Sequence, residues 1–154
     1  MQRKGKALII DSVADKGIIS LEFASNTKKT QQIITAWKKQ KVLANAVSLQ
    51  WLDFPFLIIY STTLSLGCIW STVLLSNFTL TWISTGIVLA WSQWVAALFD
   101  VLENLALFPA LKENKSWGFL PQIAAICAAL KFSLVFTGIL YIAVSVVIKL
   151  VTII

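Results

Sequence analysis

Charged positions along the chain are confined to narrow zones separated by long apolar runs. Residues 54–99 contain no Lys, Arg, Asp or Glu, and neither do residues 132–148. A run of about 18 apolar residues is enough to mark a membrane helix. The pattern resolves into three apolar stretches, roughly 42–76, 78–111 and 116–154. Each is about 35 residues long, or about 50 Å as helix at about 1.5 Å per residue, whereas a bilayer core needs only about 20 residues. The charges account for the excess. Counted from the cytoplasmic end of each stretch, Asp53 and Asp100 lie about eleven residues in and Lys131 about fifteen, and the remainder of each stretch is close to one bilayer thickness. The pattern therefore predicts an all-α membrane protein. Three long transmembrane helices, over about 52–76, 79–111 and 118–152, project about three turns past the inner membrane surface, with a layer of charge near that surface.

Before these stretches the pattern changes. Residues 1–26 mix short apolar patches, at 7–10 and 18–23, with charges. They read as an N-terminal arm, a loose hairpin or partly disordered. A capping signal at Ser25-Asn26-Thr27 opens a helix. Ile33, Trp37, Ala44, Val47 and Trp51 then recur at helical spacing, with the lysines mostly elsewhere. This predicts a basic amphipathic helix over 27–51, of the type that lies at a membrane interface. Pro55 disfavours helix at Phe54, so the first long helix is expected to restart there with Asp53 as its cap. Pro109 is expected to end or kink the second helix, and Pro121 suits the first turn of the third.

Composition strengthens the membrane reading. Hydrophobic residues make up 58% of the 154 and charged residues 13%, against about 25% charged in soluble domains. Mean hydropathy is +0.80. The net charge is +6, and nine of the thirteen basic residues precede Val42. Such a cluster beside a membrane span reads as cytoplasmic and drawn to anionic lipid headgroups. The charge-free loop around Ser76-Asn77-Phe78-Thr79 then faces outward, the loop Lys112-Glu113-Asn114-Lys115-Ser116 returns inside, and Lys149 snorkels at the far end. Trp70 and Trp82 fall toward the outer interface, Trp51 and Trp117 toward the inner. No nucleic acid is expected as partner, because the arm lacks a recognised fold or a stacking pattern among its basic residues.

Histidine is absent, which removes the commonest general base and metal ligand. Cys68 and Cys127 lie in apolar runs and read as small buried hydrophobes. No cofactor or metal is expected, since phosphate-binding glycine loops, nucleophile elbows and metal-ligand spacings are all missing. The apolar run at residues 7–10 stops at Asp11, too short for a signal peptide. The sequons at Asn77 and Asn114 fall in a loop tight against the membrane and in a cytoplasmic one.

The candidate chemistry lies in the charged layer. Asp100, Glu103 and Asn104, at i, i+3 and i+4, share one helix face, and Gln93, Ala96 and Ala97 extend it as a polar and small stripe. Ionisable groups in membrane segments cost about 2.5–3.5 kcal/mol each on the insertion scale and normally face a bundle interior. Lys131 is the expected partner, sharing a face with Ala124, Ala128, Gly138 and Ser145. Asp53 shares a face with Tyr60 and Gly67. Three readings are open for this cluster: a network that fixes helix register, a ligand, ion or headgroup site, or an acid–base pair at Asp100 and Glu103.

Several segments carry a resemblance: Ser20-Leu21-Glu22-Phe23-Ala24, Ile33-Ile34-Thr35-Ala36-Trp37, Leu52-Asp53-Phe54-Pro55-Phe56, Leu98-Phe99-Asp100-Val101-Leu102-Glu103-Asn104 and Ala128-Ala129-Leu130-Lys131-Phe132. From about residue 18 onward the chain resembles small, uncharacterised bacterial multi-pass membrane proteins. The resemblance implies that Asp53, Asp100, Glu103, Asn104 and Lys131 belong to a common pattern, and it implies no activity. The expected role is non-enzymatic binding in a bacterial inner membrane, as a complex subunit or lipid-associated scaffold. A homo-oligomer or a protein partner is expected because three spans bury little alone. The alternatives are an oligomeric ion- or proton-responsive transporter and a lipid-active enzyme using the carboxylates.

Overall fold

A computed structural model describes residues 2–75, 79–113 and 118–153. The sequons at Asn77 and Asn114 and the interfacial role expected of Trp117 lie outside the described residues. The elements, in order, are α1 (Gln2–Lys6), α2 (Ile18–Glu22), α3 (Thr27–Lys39), α4 (Leu43–Leu74), α5 (Leu80–Glu113) and α6 (Leu120–Ile153). Among the described residues there is no strand, and the fold is an all-α helical bundle. Three helices, Leu43–Leu74, Leu80–Lys112 and Leu120–Thr152, are long and apolar enough to cross a membrane.

Two compact units emerge: Met1–Pro55 with Phe99–Ala129, and Phe56–Leu98 with Leu130–Ile154. Their boundaries fall beside the charges that interrupt the apolar stretches, Asp53, Asp100 and Lys131. The second unit thus consists of the charge-poor lengths of α4, α5 and α6.

The first unit is built around a core of its own. Leu8, Ala14, Leu21 and Ala24 of the arm, Ile33, Ile34 and Trp37 of α3, Leu107 and Leu111 of α5 and Ala124 of α6 all belong to it. The arm is therefore packed, where the sequence suggested a loose or disordered one. Its apolar patches are too short to define an element alone, yet each supplies a side chain to this shared core. Gly17, at φ +60, turns the chain into α2, and the Trp37 indole donates to the Leu8 carbonyl at 2.9 Å.

Helix α3 begins as expected, with the Asn26 side chain accepting from the Lys29 amide at 2.8 Å. Its end is new. Lys41 adopts φ 60, its amide donates to the Lys38 carbonyl at 3.0 Å, and the Val42 amide donates to the Trp37 carbonyl at 2.9 Å. Such paired bonds around a left-handed residue terminate a helix, usually with glycine in that position. The single amphipathic helix expected over 27–51 is consequently two elements. Its apolar face is also differently occupied: Ile33 and Trp37 are buried within the protein instead of facing lipid, because α2, α5 and α6 supply a closer apolar surface.

Helix α4 runs through Pro55 without restarting, so Asp53 sits within a helix and is not its cap. Helix α5 likewise continues past Pro109. A proline inside a helix removes one i→i−4 bond, a loss that neighbouring helices make tolerable in long membrane helices. Pro121 lies in the first turn of α6, as expected.

In the second unit, small and polar side chains face inward and large apolar ones outward. Ser61, Cys68, Ser71, Gln93 and Ser145 are fully buried, whereas Val88, Trp91 and Phe136 are about two-thirds exposed (66%, 71% and 65%). The order is the reverse of a soluble core and suits helices surrounded by lipid. Hydroxyls satisfy themselves on the preceding turn, as Ser71 does on the Gly67 carbonyl at 2.9 Å and Ser145 on that of Tyr141 at 2.8 Å.

Candidate functional site

A buried polar grouping of the first unit lies between α4 and α5. Gln50 and Asp53 are three residues apart, so they share a face of α4; Asp100, Glu103 and Asn104 share one on α5. Both faces follow from the same periodicity that places Ala46, Ala106, Leu107 and Ala110 in the core beside them. Gln50, Asp100, Glu103 and Asn104 are all buried, with Glu103 fully enclosed.

Asn104 joins the two helices. Its Oδ1 accepts from the Gln50 Nε2, and its Nδ2 donates to the Asp53 Oδ2 at 2.8 Å. Asn104 thus uses both ends of its amide, accepting from Gln50 through the oxygen and donating to Asp53 through the nitrogen. Each neutral link contributes about 1 kcal/mol net, and one ending on a charged group about 1.5–3 kcal/mol. Removing one member leaves others buried without partners, which costs more than the link itself supplied. This arrangement locks α4 against α5 in register.

One side of the α4–α5 contact is aromatic. Phe54 and Phe108 stack with centroids 6.2 Å apart, and Trp51 leans on Phe108 at 5.2 Å. The Lys112 ammonium stands 5.6 Å from the Phe108 centroid and 6.0 Å from that of Trp51. A cation over ring faces at this distance is attracted by their quadrupoles, and exposed Trp with Lys is the usual composition of a membrane–water interface.

Tyr60, Gln93 and Lys131 belong to the second unit. Tyr60 packs against Phe56, with centroids 5.7 Å apart. Gln93 is buried on α5, and its Nε2 lies 3.1 Å from both the Leu134 carbonyl of α6 and the Leu89 carbonyl. Gly138 makes room for it, since a Cβ there would stand 2.5 Å from Gln93 Nε2. Lys131 is buried, with its ammonium 5.0 Å from the Phe132 ring centroid.

The structure therefore brings Asp53 and Asn104 into direct contact and buries Asp100 and Glu103 on the α5 face they share with Asn104. Gln50 escaped the sequence reading, although its place three residues before Asp53 is a usable signal. Also missed was the pairing of Trp82 with Tyr141, whose rings stack at 5.0 Å while the Tyr141 hydroxyl donates to the Trp82 carbonyl at 3.0 Å. Trp82 is thereby turned partly inward. Among the described residues no group of three or more His, Cys, Asp and Glu is placed to hold a metal ion. Comparison with known proteins returns no match to any family model, any curated protein or any solved structure.

Proposed function

We propose that the chain is a multi-pass protein of a bacterial inner membrane, with its N-terminus in the cytoplasm, that acts by binding as a subunit of a larger complex or a lipid-associated scaffold. The observation that carries this reading is the basic face of the first unit. Helix α3 buries Ile33, Ile34 and Trp37 and holds Lys28, Lys29, Lys38 and Lys39 outward. Lysines on a packed frame present charge to a partner with little ordering cost, unlike lysines on a loose tether. The same charges favour a cytoplasmic, anionic-lipid-facing side, and the resemblance to small bacterial multi-pass proteins supports the compartment. The internal hydrogen bonds of Gln50, Asn104 and Asp53 support a framework role for part of the charged layer.

Native mass spectrometry of the protein released gently from its own membrane tests the reading. A stoichiometric second protein, or a defined anionic lipid retained through mild activation, is the expected result. A lone chain carrying only exchangeable bulk lipid would reject it and turn attention to the buried Asp100 and Glu103 as an ion-responsive or catalytic pair.

A further inference from the structure

Between the N-terminal arm and the outward side of α3 lies an open groove of about 680 Å³, floored in part by the apolar Val13 and Ala36 and bordered by Ser12 and by Lys28, Gln31, Gln32, Thr35 and Lys39 of α3. Steps of three and four along α3 place these five on one helix face. No carboxylate among the described residues lines the groove. The two lysines stand eleven residues apart, about 16 Å along the helix axis. A single phosphate cannot reach both. An extended peptide covers that distance in about five residues.

The middle of the groove narrows the choice of ligand further. Gln31 and Gln32 each offer donors and an acceptor, and Thr35 and Ser12 offer hydroxyls that do both. A peptide main chain likewise presents one donor and one acceptor at nearly every residue. A lipid phosphodiester only accepts, so it leaves the carboxamide oxygens unused, and a free phosphate is too small to span the groove. We infer that this groove docks an acidic segment of a partner protein. Carboxylates near the segment's two ends meet Lys28 and Lys39, and its main chain lies along Gln31, Gln32 and Thr35. The inference rests on the binding role proposed above and names the chemistry of its partner.

The test uses the full chain in phosphatidylcholine nanodiscs and a short fluorescent peptide with glutamates at both ends and serines between. The peptide is expected to bind, and Lys28→Gln with Lys39→Gln to weaken it about tenfold, since each exposed ion contact is worth up to about fivefold. The equal charge loss Lys6→Gln with Lys16→Gln, both exposed and outside the groove, is expected to change binding by less than about twofold. Equal weakening by both pairs would mean general charge attraction and overturn the groove. So would absence of peptide binding, or lysine-dependent retention of phosphatidylglycerol in its place. A native partner that stays bound to the Lys28→Gln, Lys39→Gln protein would reject the groove while leaving the binding role intact. Absence of any native protein partner would overturn the groove as a docking site, and would count against the binding role as well when no defined lipid is retained.

Discussion

Lys41 illustrates how a single residue can carry a cost that the fold overrides. A left-handed backbone is disfavoured by roughly 1–2 kcal/mol for residues with a Cβ, yet Lys41 takes it because the turn delivers two bonds back to α3 and sends the chain into α4. Lys41→Gly should therefore stabilise the protein by about 0.5–1 kcal/mol, the strain relieved being partly offset by glycine's greater freedom when unfolded. Thermal unfolding in a mild detergent measures it. An unchanged or lowered melting temperature would count against strain at this position. Trp37 shows a different limit of single-residue reading. Its indole suited a lipid interface equally well, and only the Leu8 carbonyl at 2.9 Å identifies it as a tie between α3 and the arm.

The long helices were legible as elements because each needs only local information, an apolar run bounded by charge. The prolines misled at this scale. Pro55 and Pro109 signal interruption by their chemistry, but α4 and α5 continue through them. What holds α4 to α5 in the first unit is partly polar, and that can be measured. Gln50→Leu and Asn104→Leu are each expected to cost about 1–3 kcal/mol by leaving the other's amide buried without its partner. The double substitution should cost less than the sum, with a coupling of about 0.5–2 kcal/mol. Unfolding of the four proteins under identical conditions gives this coupling directly. Additive losses would show that the two amides do not act as a pair.

For the whole molecule, charge placement and packing agree. The boundaries of the two units fall beside Asp53, Asp100 and Lys131, where the apolar pattern alone had located the inner membrane surface. Lysines and carboxylates are costly in hydrocarbon; the second unit carries just Lys131 and Lys149 and packs through small residues, while the first carries the other charges and forms an ordinary apolar core. The orientation proposed above rests on the basic face. In intact cells, Lys38→Cys, an exposed site on α3, should react with a membrane-impermeant maleimide only after the membrane is opened, with the buried Cys68 and Cys127 contributing little background. Labelling in closed cells would reverse the topology.

The chain's sequence by itself determined the class of structure, the number of long helices and the candidate charged layer, because these depend on composition and spacing along one dimension. It also placed Asp53 and Asn104, which the structure joins by a hydrogen bond, in one candidate cluster. Tertiary structure alone decided that the arm is folded, that the apolar face of α3 is covered by protein, and that Asn104 bridges Gln50 and Asp53. Those outcomes depend on which apolar surfaces meet across large separations in sequence. A face that could bury against lipid or against protein has the same periodicity in either case, and only the packed neighbours distinguish the two.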